Sequence, residues 1–101
     1  MIVVRDIFRV KFGKAKETND LFKEGVAIAK RVGFGASGVR LLTDLVGEPY
    51  YTLILETTFD SLSTWEKASL AVRGSADWRA WYQKVTPLID SGERKIYSVL
   101  E

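Results

Sequence analysis

Over residues 2–12 apolar and polar side chains alternate: Ile2, Val4, Phe8, Val10 and Phe12 fall on one side, Arg5, Arg9 and Lys11 on the other. A period of two residues predicts a β-strand. Asp6 interrupts its apolar side. Over residues 15–32 the spacing changes. Leu21, Gly25, Ile28, Ala29 and Val32 recur at helical intervals with Glu17, Lys23, Lys30 and Arg31 off the stripe, which predicts an amphipathic helix. Gly33, Gly35 and Gly38 then end it, because glycine turns a chain at little steric cost. Residues 39–46 and 50–59 are β-rich runs joined through Gly47-Glu48-Pro49, the pattern of a hairpin.

A capping-box pattern, Ser63-Thr64-Trp65-Glu66, predicts the start of a second helix that runs through Ala68 and Val72 to a break at Gly74-Ser75. Trp78, Trp81, Tyr82 and Val85 stand at helical spacing in a third helix, which Pro87 stops. Ser91-Gly92 is expected to turn into a last strand over residues 94–100. The order β-α-β-β-α-α-β predicts an α+β ferredoxin-like sandwich, with one four-stranded antiparallel sheet and the helices on one face, in a single domain over residues 1–101. The central hairpin carries apolar groups on both sides, Tyr51, Leu53, Leu55 and Phe59 on one and Tyr50 and Ile54 on the other. Helices cover only one face, so the other is expected to pack on a second copy, giving a homodimer.

Composition narrows the chemistry more than the fold. Among 101 residues there is no cysteine and no histidine. Thiolate sites, disulfides, Ser-His-Asp and Cys-His mechanisms and the usual haem ligand are therefore excluded, and neither a metal nor a cofactor is expected. Fifteen Lys+Arg against thirteen Asp+Glu give a net charge of +2, a mixed surface rather than a nucleic-acid footprint. No apolar run approaches the roughly 18 residues that a membrane span needs. The first residues, Met1-Ile2-Val3-Val4-Arg5-Asp6, lack the basic region of a signal peptide, so a cytoplasmic location is expected, with neither membrane nor nucleic acid as a partner.

Chemistry must then come from carboxylates, Arg, Lys, hydroxyls and aromatic rings. Asp6 stands where the strand calls for an apolar residue; there a carboxylate either titrates as a general acid or base beside a cation, or is exposed by a twist or bulge. Glu56 faces Arg40 or Arg5 across the sheet, as a structural ion pair or as a site pair with Arg40 stabilising an anion. Tyr51, Trp65, Trp81 and Tyr97, with Trp78 and Tyr82 beside them, form either ordinary core or the wall of a pocket for a planar molecule. Two sharper patterns are set aside. Gly33-x-Gly35-x-x-Gly38 matches a dinucleotide fingerprint but follows a helix and precedes a strand, the reverse of what that mechanism needs. Trp78-Arg79-Ala80-Trp81-Tyr82-Gln83-Lys84 interleaves cations and rings as single-strand binders do, but helical spacing buries the rings.

Arg9-Val10-Lys11-Phe12-Gly13-Lys14, Phe59-Asp60-Ser61-Leu62-Ser63-Thr64-Trp65-Glu66, and Trp78-Arg79-Ala80-Trp81 followed by Pro87-Leu88 and Ser91-Gly92 resemble the dimeric α+β barrels. The likeness is specifically to the small proteins of the NIPSNAP and antibiotic-biosynthesis-monooxygenase groups, and it covers nearly the whole chain. It implies pairing of two copies into a barrel and a ligand site between helices and sheet. Haem-degrading relatives use a histidine that this chain lacks, and the monooxygenases often use a strand asparagine, whereas the one asparagine here is Asn19, at the start of the first helix. The expectation is a NIPSNAP-like homodimer that binds a small apolar or aromatic molecule. The alternative is a cofactor-independent monooxygenase or isomerase of a phenolic or polyketide-like substrate, with Asp6 or Glu56 as base and Tyr51 or Tyr97 orienting the ring. A purely structural module is the third possibility.

Overall fold

Strand β1 (Ile2–Val10) lies inside the sheet, between β3 (Thr52–Phe59) and β4 (Ile89–Ser98), with β2 (Val39–Thr43) outside β3; all the pairings are antiparallel. The computed structural model describes residues 1–100. Helix α1 (Ala15–Arg31) follows β1, while α2 (Leu62–Arg73), α3 (Ala76–Val85) and a 3₁₀ turn (Thr86–Leu88) connect β3 to β4. This is the α+β ferredoxin-like order that the patterning predicts. No helix among the described residues is long and apolar enough to cross a membrane.

The register assigns every strand residue to a face. Val4 pairs with Thr57, Asp6 with Leu55 and Phe8 with Leu53, so the even positions of β1 share a face with the odd positions of β3. On that face Val10, Phe22, Ile28, Leu53, Trp81 and Val85 form the buried core, with Phe8 edge-on to Phe22 at 5.0 Å. The opposite face carries Val3, Arg5, Ile7 and Arg9 of β1, Ile54 and Glu56 of β3, Arg40 and Leu42 of β2, and Tyr97 of β4.

Several boundaries differ from the patterning, each for a local reason. Strand β1 stops at Val10, after a register irregularity at Arg9/Val10, and the Lys14 N–H donates to the Lys11 carbonyl across a turn in which Gly13 has φ +83°. Phe12 is thus outside the strand and 84% exposed. The hairpin strands are shorter than expected because the Asp44 carboxylate accepts from the Thr52 N–H at 2.9 Å and opens the intervening loop. Helix α2 starts one residue before the predicted box. Ser61, not Ser63, is the cap, since its extended backbone lets Oγ accept from the Thr64 N–H. Ser91-Gly92 lies within β4 instead of forming a turn. Gly92 pairs with Phe8, whose ring would sit 3.3 Å from a Cβ at that position, so a side chain there would crowd it.

Candidate functional site

Between the helices and the sheet lies a cavity of about 680 Å³. Phe8 from β1, Phe22 from α1, Trp65 from α2 and Trp78 and Trp81 from α3 line it, so all three tryptophans of the chain meet at one space. Their placement follows from helix geometry. Ser75 Oγ accepts from the Trp78 N–H at 3.3 Å and starts α3, and the three-residue step to Trp81 keeps both rings on one side, with centroids 4.5 Å apart. Trp81 is held twice: its Nε1–H donates to the Leu21 carbonyl at 2.5 Å, and its ring crosses α1 at Gly25. A Cβ on Gly25 would lie 2.5 Å from that ring, so the close approach needs glycine.

Asp6 lines the same cavity at 9% exposure. Its partner is Arg94, directly opposite in the β1/β4 register, whose Nε donates to Asp6 Oδ1 at 2.5 Å. The Arg94 guanidinium also lies over the Trp65 ring, 5.1 Å from its centroid, and the indole face favours the cation there. Carboxylate, guanidinium and indole thus form a chain from sheet to α2, beside β4 residues that are exposed from Asp90 onward.

The other sequence-predicted residues lie elsewhere. Glu56 and Arg40 sit on the opposite sheet face, where Glu56 is 7% exposed and takes Arg5 Nε on Oε2 at 2.9 Å and Arg40 on Oε1 at 2.5 Å. The hydrogen bond from Arg40 is the main reason that its carboxyl is held below the ordinary glutamate range; the bond from Arg5 and both positive charges add to it, and burial opposes. Tyr97 lies beside this network under Arg5, 5.5 Å from ring to guanidinium carbon. Tyr51 is at the hairpin end, edge-on to Phe12 at 5.0 Å, with φ +61°. Of the seven, the structure brings together Asp6, Trp65 and Trp81 at the cavity. Glu56, Arg40 and Tyr97 gather behind the sheet, and Tyr51 joins neither group.

Arg94 and Arg73 belong to the cavity wall, and neither stands out in the sequence pattern. A signal for Arg94 did exist: a carboxylate on the apolar side of β1 needs a cation, and the neighbouring strand must supply it. Only the β1/β4 register says which of Arg94 and Lys95 that is. Among the described residues no cluster of three or more acidic, His or Cys side chains could hold a metal.

No family model matches the sequence, and no curated protein sequence matches it. Solved structures do match. A NIPSNAP family protein from Agrobacterium tumefaciens superposes with a TM-score of 0.87 at 24% identity, over 99% of this chain and 86% of that one. The chain shares its ferredoxin-like fold with this NIPSNAP protein. A putative antibiotic biosynthesis monooxygenase from Nitrosomonas europaea superposes at 0.75 with 17% identity over the whole of both chains. SnoaB, a cofactor-independent oxygenase from Streptomyces nogalater, does so at 0.72 with 14% identity, over 99% of this chain and 93% of that one. The NIPSNAP-like ferredoxin arrangement thus extends to the monooxygenase-type proteins, as the sequence resemblance implies.

Proposed function

We propose that the chain is a cytoplasmic homodimer that binds a small apolar or aromatic molecule in the cavity between helices and sheet. The observation that supports this is the cavity itself, with every tryptophan of the chain on its wall. Its volume of about 680 Å³ is within the range of small-molecule sites, and apolar walls with a few polar groups are what such sites use. The homodimer is supported by Val3, Ile7, Leu42 and Ile54, which lie together on the sheet face that no helix covers. Native mass spectrometry tests both parts: a dimer with retained extra mass is the expected spectrum, and a bare monomer overturns the reading.

A second reading, a cofactor-independent monooxygenase or isomerase acting on a phenolic or polyketide-like substrate, is favoured by one observation. Asp6 is a buried carboxylate on the cavity wall, where a proton acceptor would meet a ligand. The likeness to SnoaB is in the same direction. In this reading Asp6 is the base; Glu56, behind the sheet, is not. Oxygen uptake with a dihydroxynaphthalene measures it: Asp6→Asn is expected to abolish turnover with the oligomer intact, and full activity in that variant removes Asp6 from the role.

A further inference from the structure

The charges around the cavity define what its occupant must carry, provided that the cavity is a ligand site as proposed above. Four charged side chains line it: Asp6, Asp90, Arg73 and Arg94. Asp6 is neutralised by Arg94, and Asp90 by Lys11 at 3.7 Å. Arg73 has no carboxylate within 4.0 Å among the described residues, so one positive charge on the wall is left without a counter-charge. Arg94 meets Asp6 through Nε alone. Its two terminal nitrogens have no hydrogen-bond partner among the described residues, while Asp6 and the Trp65 ring fix the plane in which they lie.

A guanidinium edge held in that way matches the two in-plane oxygens of a carboxylate, with two parallel charge-assisted hydrogen bonds. We infer that the cavity takes a planar aromatic molecule bearing a carboxylate, its ring among Trp65, Trp78 and Trp81 and its carboxylate on the free edge of Arg94. Arg73 supplies the second positive charge. With Lys11, which pairs with Asp90 from outside the cavity, three cations face two carboxylates, and a single negative charge balances the surplus of one, which favours a carboxylate over a doubly charged phosphate. A neutral aromatic would fill the same space and leave the cation unanswered.

The experiment uses the indole N–H signals of the three tryptophans in ¹⁵N-labelled protein, since all of them report on this cavity. Two probes are titrated, 2-naphthoate and its neutral counterpart 2-naphthalenemethanol. The acid is expected to shift the indole signals and to bind at least ~tenfold more tightly, as paired charge-assisted bonds require. The double variant Asp6→Asn/Arg94→Gln removes both members of the ion pair, so that the buried Asp6 carboxylate is not left without its cation, and it is expected to bind the two probes equally. Arg73→Gln, at an exposed position, is expected to cut the preference at least ~threefold. Equal affinity in the wild type, or an undiminished preference in Arg73→Gln or in a folded double variant, overturns the inference. If the alcohol binds as well as the acid, the carboxylate is wrong and the pocket stands; if neither probe moves an indole, the pocket reading fails and this inference with it.

Discussion

Glu56 shows how one residue can be legible in kind and not in place. A glutamate in a β-run between arginines at positions 5 and 40 predicts an ion pair, and that pair exists, with Arg5 and Arg40 on separate oxygens. Its lowered pKa has a consequence for stability. A carboxyl whose folded value lies below its unfolded value stabilises the fold above the unfolded value, and that contribution fades as pH falls through the folded one. Wild-type stability is therefore expected to decline from about pH 5 downward. Glu56→Gln should cost about 1–2 kcal/mol at pH 7 and flatten this acid limb; urea unfolding at pH 7 and pH 3 compares the two, and parallel losses would remove Glu56 as the cause. Gly25 makes the opposite point. As one position of an apolar stripe it reads only as small, yet the Trp81 ring occupies the space of its Cβ. Gly25→Ala should destabilise by about 1–3 kcal/mol and shift the Trp81 indole signal, despite alanine's better helix propensity; a more stable variant would mean that the ring moves aside freely.

At the scale of elements, helices α2 and α3 owe their starts to single hydroxyls. Ser61 caps α2 and Ser75 caps α3, each accepting from the amide three residues on. Alanine at either position should cost about 1 kcal/mol. The two losses should differ in kind, because α3 carries Trp78 and Trp81 whereas α2 brings Trp65 to the cavity. In Ser75→Ala the signals of Trp78 and Trp81 are expected to broaden with that of Trp65 unchanged, and the reverse pattern would contradict the assignment of caps to walls. Ser61 and Ser63 are alike in sequence, so the pattern places the cap two residues late. What separates them is the extended backbone at Ser61. The hairpin strands end earlier than their propensity suggests for a related reason: β-propensity continues through Leu45, Val46 and Tyr50, whereas the Asp44 side chain competes for the Thr52 amide and Tyr51 takes a positive φ.

For the whole molecule, the sheet has one face under helices and one without. Apolar Val3, Ile7, Leu42 and Ile54 surround the Arg5–Glu56–Arg40 network there, a surface suited to a second copy with the charges partnered internally. Ile54→Asp places a charge in the middle of that face, two residues before Glu56 on the same side of β3. Sedimentation velocity is expected to show a dimer for the wild type and a monomer for this variant, while loss of folding at the same concentration would implicate the core. The cavity lies on the other side of the sheet, so the monomer should keep whatever affinity the indoles report.

The order of elements, the face that helices cover and the absence of thiol and imidazole chemistry are properties of the sequence, because period, turn residues and composition are local or additive quantities. Asp6, Trp65 and Trp81 could be nominated on the same grounds, each as a residue type out of keeping with its pattern or large enough to build a wall. Which of the nominated residues share a space is a matter of register, and register depends on distant partners: Asp6 and Arg94 are 88 residues apart in the chain. The pairing of Asp6 with Arg94 sets the polar corner of the cavity. The pairing of Arg5 and Arg40 with Glu56 puts that carboxylate behind the sheet, since a one-residue step along a strand reverses the face of every side chain.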